Sequence, residues 1–122
     1  MKKVLLPCLI ILVLLFTGCS GSLQIGAIET NSKHEMHASY YELDGTKTRS
    51  VTVKEGEPID VSMVIVTKKG SIDVLIYKDK NENQYEGHAL ASTSSKITLK
   101  DPGTYTIKVI AKKHRGSYTF KW

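Results

Sequence analysis

The sequence predicts an all-β fold, an antiparallel β-sandwich of about seven or eight short strands. Three observations predict it. From Met36 to Trp122 the apolar residues recur with period two, and no segment sustains a 3.6-residue period. β-Branched and aromatic side chains fill those runs, as a half-buried pleated surface requires. Turn-forming groups (Asp-Gly, Gly-Glu-Pro, Lys-Gly, Asp-Pro-Gly) interrupt them about every ten residues. At 122 residues and 41% hydrophobic, the chain holds one modest core. That excludes a multidomain enzyme, a collagen-like chain and a polytopic membrane protein.

Met1-Lys2-Lys3 reads as a positive n-region, and Val4–Phe16 as an apolar h-region interrupted only by Pro7. The run is too short for the roughly 20 residues a membrane-spanning helix needs, so residues 1–18 are expected to be an export signal. Losing Lys2 and Lys3 leaves 15 basic against 12 acidic side chains, a net charge of +3. Cys8 would leave with the signal. Cys19 is then the one thiol remaining, which excludes disulfides and thiol catalysis in the body.

Residues 19–35 are polar around a small apolar patch, Leu23–Ile28, and read as a tether or a first edge strand. The sandwich domain is expected over 36–122. Met36–Leu43 is followed by Asp44-Gly45, a tight-turn pair. Thr48–Lys54 alternates with Val51 and Val53 inward, and Glu55–Pro58 breaks it. Ile59–Thr67 places Ile59, Val61, Met63 and Ile65 on one face. Lys68-Lys69-Gly70 reads as a turn into Ser71–Lys78, whose Val74–Tyr77 run predicts a strand covered on both faces. Tyr85–Ala91 and Lys96–Lys100 are shorter strands. Thr104–Ala111 carries Tyr105, Ile107, Val109 and Ala111 inward, Lys112–Gly116 reads as a basic turn, and Ser117–Trp122 points Tyr118, Phe120 and Trp122 inward.

Phe16-Thr17-Gly18-Cys19 resembles a bacterial lipobox, although Phe16 stands where the pattern prefers Leu, Val or Ile. The resemblance implies diacylglyceryl on the Cys19 sulfur; two acyl chains anchor stably where one does so only marginally. Asp101-Pro102-Gly103-Thr104-Tyr105 looks like the D-x-G-x-Y corner of immunoglobulin-like sandwiches, in which the Tyr hydroxyl bonds back to nearby backbone. The core cysteine pair and central Trp of antibody domains are missing. Gly103–Val109 with Gly116–Phe120 also resembles the last hairpin of the jelly-roll-like sandwiches appended to secreted peptidases. The whole chain is similar to small Gram-positive-type lipoproteins. The fold so implied is a jelly-roll or immunoglobulin-like Greek key.

Candidate chemistry is sparse. His34 and His37 are three apart, so on a strand they face opposite ways and cannot chelate together. Asp79, Asn81 and Asn83 match the first oxygen-ligand positions of a calcium loop, but Gln84 replaces the required Gly and Leu90 the bidentate Glu. A polar turn needs the same residue types. Lys112-Lys113-His114-Arg115 and Lys68-Lys69 suit solvated turns, or contact with anionic headgroups or wall polymers. Tyr40 and Tyr41 are adjacent, so one must face away from the core. No G-x-S-x-G, phosphate loop or zincin motif appears, and no enzyme activity or cofactor is expected.

The sequence thus points to a lipoprotein held on the extracytoplasmic face of the cell membrane through Cys19, working as a non-catalytic binding or structural module. A protein or cell-wall polymer is the expected partner, and nucleic acid is not. The alternative is an accessory calcium- or metal-binding lipoprotein using the Asp79–Asn83 turn, and a small hydrolase is a minor third reading.

Overall fold

Apolar alternation along three long segments dictates the architecture, because each segment switches phase once. The computed structural model describes residues 23–78 and 82–122. Seven strands follow in order: β1 (Leu23–Ile25), β2 (Ile28–Ser32), β3 (Glu35–Val53), β4 (Ile59–Tyr77), β5 (Asn83–Gly87), β6 (Thr93–Leu99) and β7 (Gly103–Lys121). β3, β4 and β7 are each 19 residues long. Along β3 the buried residues are Met36, Ala38 and Tyr40, then Leu43, Val51 and Val53, so even positions give way to odd. In β4 the switch runs from Ile65 to Ile72, and in β7 from Ala111 to Tyr118. A single extra residue in a strand has this effect, adding a bend as it flips the inward face.

Ladder irregularities mark those switches at Tyr40–Gly45 in β3 and Thr67–Ser71 in β4. The three long strands therefore bend together, and each contributes to both layers. One layer pairs β2, the first part of β3, the last part of β7, the first part of β4, and β6. The other pairs β1, the rest of β3, the first part of β7, the rest of β4, and β5. All pairings are antiparallel, and β7 lies between β3 and β4 in both layers. This is the jelly-roll form of the sandwich. One core cluster, from Met36 to Phe120, fills the space between the layers.

Several expectations change here. Asp44-Gly45, Lys68-Lys69-Gly70 and Lys112–Gly116 do not reverse the chain; they are bends inside continuous strands. Gly and polar residues suit a bulge for the same conformational reasons they suit a turn. At the bend the backbones touch. Gly70 (φ 76°) and Gly116 (φ 144°) lack the Cβ that would collide with the carbonyls of Lys113 and Val66, respectively. Leu23–Ile25 and Ile28–Ser32 pair with β3, so the sheet begins inside the segment expected as a tether, and the edge-strand reading is the one realised. In the Val74–Tyr77 run Val74 and Ile76 are buried while Leu75 and Tyr77 are half-buried, so only one face is fully covered.

The Asp101–Tyr105 corner forms as expected. The Tyr105 hydroxyl donates to the Asp101 carbonyl at 2.7 Å, pinning the entry to β7.

Candidate functional site

At the bend, strand phase places His114 in the core, where it is wholly buried. Its partners fix its protonation. Thr67 Oγ1 donates to the Leu90 carbonyl at 2.8 Å, so it must accept from His114 Nε2 at 2.9 Å. Nδ1 is then the bare nitrogen, and accepts from the Tyr40 hydroxyl at 2.6 Å. Desolvation lowers the His114 pKa and raises those of Tyr40 and Tyr118. Tyr40, Tyr118 and Phe120 continue the network as tilted aromatic pairs 5.9–6.2 Å apart. His114 is therefore a structural polar core residue, not the solvated turn residue the sequence implies. Flanked by Lys112, Lys113 and Arg115, it carries no apolar signal that would have revealed it.

Outside the bend surface, the same register joins two basic segments that lie far apart in sequence. Lys69 pairs with Arg115, and Ser71 with Lys112. Lys68, Lys69, Lys112 and Lys113 are exposed. Arg115 stacks 4.4 Å over the Tyr41 ring and lies 3.6 Å from Glu42. Of the adjacent tyrosines Tyr40 is buried and Tyr41 is 58% exposed.

A second polar group lies on the β4–β5 edge. His88 Nε2 is 2.6 Å from Glu86 Oε1 and His88 Nδ1 is 3.5 Å from Asp73 Oδ2. Asp73 Oδ1 accepts from the Ala89 backbone N–H at 2.7 Å, and Asn83 Nδ2 donates to Glu86 Oε2 at 3.1 Å. Hydrogen bonding to Glu86 and then Asp73 raises the His88 pKa, and hydrogen bonding to His88 lowers that of Glu86. The group is solvent-exposed and latches the chain beyond β5 to β4. It has no nucleophile and no enclosed pocket.

Asn83, the third candidate calcium ligand, thus spends its amide on Glu86, while Asp79 and Asn81 lie outside the described residues. Cys19 lies outside them too. His37 Nδ1 is 2.7 Å from Thr119 Oγ1, whereas His34 is exposed in the turn after β2, where its carbonyl accepts from the Trp122 N–H at 3.0 Å. Among the described residues no three His, Cys, Asp or Glu side chains are grouped to hold a metal.

A groove of about 490 Å³ opens at the end of the sandwich remote from the bend. Its lining includes Lys33, His34, Ser50, Thr52, Glu57 and Trp122. Arg49 caps one side of the indole at 5.4 Å, and the ring rests against the core. The groove mixes one flat apolar surface with hydroxyl, cationic and carboxylate groups.

No protein-family model and no curated protein sequence matches the chain. Solved structures do match. The pre-peptidase C-terminal domain of a collagenase from Bacillus anthracis aligns with a TM-score of 0.48 at 13% identity, over 80% of this chain and 88% of that one. The carbohydrate-binding module CBM4 aligns with a TM-score of 0.42 at 10% identity, over 78% and 74%. A carbohydrate-binding module from Cellvibrio mixtus lichenase 5A, in complex with cellotriose, aligns with a TM-score of 0.39 at 9% identity, over 82% and 95%. These are β-sandwich domains, and nothing about a ligand of this chain follows from them.

Proposed function

We propose that the chain is a bacterial lipoprotein, acylated on Cys19 and held on the extracytoplasmic face of the cell membrane, whose jelly-roll body is a non-catalytic binding module. The lipobox-like run before Cys19 supports the anchor. A thiol-free body supports an extracytoplasmic setting in which stability rests on the core alone.

The observation that carries the binding reading is the groove at the open end. The half-buried Trp122 indole, with Arg49 over it and Ser50, Thr52, His34 and Lys33 around it, offers apolar and hydrogen-bonding surface together, as a polyhydroxylated polymer such as a cell-wall glycan requires.

Two measurements test this reading. Cys19→Ser should shift the protein from the membrane fraction to soluble or unprocessed material, and continued acyl labelling of that variant overturns the anchor. Titration of purified wall glycan should change Trp122 fluorescence, with Trp122→Ala losing at least tenfold in affinity. A glycan that binds both forms equally overturns the groove assignment.

A further inference from the structure

We propose that the bend of the sandwich is a docking surface for anionic lipid headgroups, so that the domain rests bend-down on its membrane with the groove turned away. The inference rests on the anchoring reading above in one respect, the place where the chain meets lipid.

Two observations choose the occupant. The first is charge. Lys68, Lys69, Lys112, Lys113 and Arg115 come from two strands and meet on one end of the molecule, with Glu42 and Asp44 as neighbouring carboxylates on β3 and Asp73 on β4 held by His88 and the Ala89 N–H. Among the described residues none of the four lysines is ion-paired, and Arg115 shares its charge with Glu42. At the remote end acidic residues (Glu35, Glu55, Glu57, Asp101) are interleaved with basic ones, so the charge there is mixed and the all-basic cluster is confined to the bend. Exposed Tyr41, under the Arg115 guanidinium, adds an amphipathic ring of the kind that settles at headgroup level.

The second is where the chain enters. β1 pairs Leu23 with Asp44 and Ile25 with Glu42, so the first described strand starts at the bend. Cys19 precedes Leu23 by four positions, a reach of about 14 Å at most. An acyl group on Cys19 therefore brings the basic end close to the bilayer. Headgroup charges are felt within about one Debye length, about 8 Å in physiological salt, and each basic residue so placed favours the bound state about fivefold. A wall polymer enjoys no such proximity.

The test uses the chain produced in a bacterial host, purified from its membranes and reconstituted in vesicles carrying a nitroxide quencher on the lipid headgroup. Native Trp122 reports the groove end. A second protein, Tyr41→Trp with Trp122→Phe, reports the bend without altering charge. With about a third of the lipid phosphatidylglycerol, the bend reporter should be quenched at least about threefold more than Trp122. The difference should vanish in pure phosphatidylcholine, in about 0.5 M salt, and in the quadruple variant Lys68→Gln, Lys69→Gln, Lys112→Gln, Lys113→Gln, whose fold is checked by circular dichroism.

Equal quenching of the two reporters in anionic vesicles overturns the proposal. So does a soluble glycerol-phosphate polymer that binds at least about tenfold tighter than anionic vesicles of equal phosphate content, which would reassign the surface to the wall. Mass measurement of the N-terminal peptide separates the two readings. Acylated Cys19 with equal quenching leaves the anchor and removes the docking surface. Unacylated Cys19 with charge-dependent quenching of the bend reporter does the reverse.

Discussion

Tyr40 and His114 stand 74 positions apart in sequence and share a buried 2.6 Å hydrogen bond at the point where the strands bend. The chain from Tyr40 through His114 and Thr67 to the Leu90 carbonyl uses every donor once when the imidazole is neutral, the form that its burial favours. A proton on Nδ1 would face a hydroxyl that is already donating.

Two histidines therefore titrate in opposite senses. His114 has its folded pKa below 6.5, so its contribution is present above that value and is lost as pH falls through the folded pKa. His88 has its folded pKa above 6.5, so its contribution is present below that value and fades as pH rises through the folded pKa. The expected result is a melting temperature highest near pH 6.5. His88→Gln should remove the decline on the alkaline side and keep the acid limb. A parent curve that rises monotonically from pH 6.5 to 8 counts against the assignment.

Tyr105→Phe removes one buried hydroxyl bond and little volume. A loss of about 1 kcal/mol in chemical denaturation is expected. An unchanged midpoint would mean the 2.7 Å contact to Asp101 does not hold the corner.

Gly116→Ala and Gly56→Ala separate crowding from backbone preference. Both glycines have positive φ, 144° and 74°. A Cβ on Gly116 runs into the Val66 carbonyl, while one on Gly56 meets nothing within 4 Å. Gly56→Ala should cost about 1–2 kcal/mol, the left-handed penalty alone. Gly116→Ala should cost clearly more, about 3 kcal/mol or greater, or fail to accumulate as folded protein. Equal losses in thermal melts would argue against close approach at the bend.

Calcium at about 1 mM should leave the melting temperature unchanged, because the Gly and Glu of a calcium loop are replaced by Gln84 and Leu90. A rise of several degrees would restore the Asp79–Asn83 turn as a cation site.

Strand faces were legible from alternation alone. Val51 and Val53, Val61 to Ile65, Tyr105 to Ala111, and Tyr118 with Phe120 all point inward as the period demands. The three bends were not legible as bends, because Asp44-Gly45, Lys68–Gly70 and Lys112–Gly116 have the composition of reversing turns. A usable signal was present in the phase: inward positions pass from odd in Val61–Ile65 to even in Ile72–Ile76 across a segment too short to reverse the chain and restart. Both basic segments were visible in the sequence, but their union was not. Lys68-Lys69 and Lys112–Arg115 each look like isolated tip charges, and only the β4–β7 register makes them one patch. The groove is likewise assembled from chain segments that no local pattern connects.

The position of β7 between β3 and β4 has a consequence for how the body matures. β3 and β4 have no direct partnership with each other, so neither layer can assemble until Gly103–Lys121 arrives to bridge them. A nascent polypeptide lacking that final stretch is limited to two separate ladders, β1 and β2 on β3, and β5 and β6 on β4. Closure of either full layer is thereby deferred until the segment has been synthesised, which makes its arrival the step that turns two separate ladders into one body.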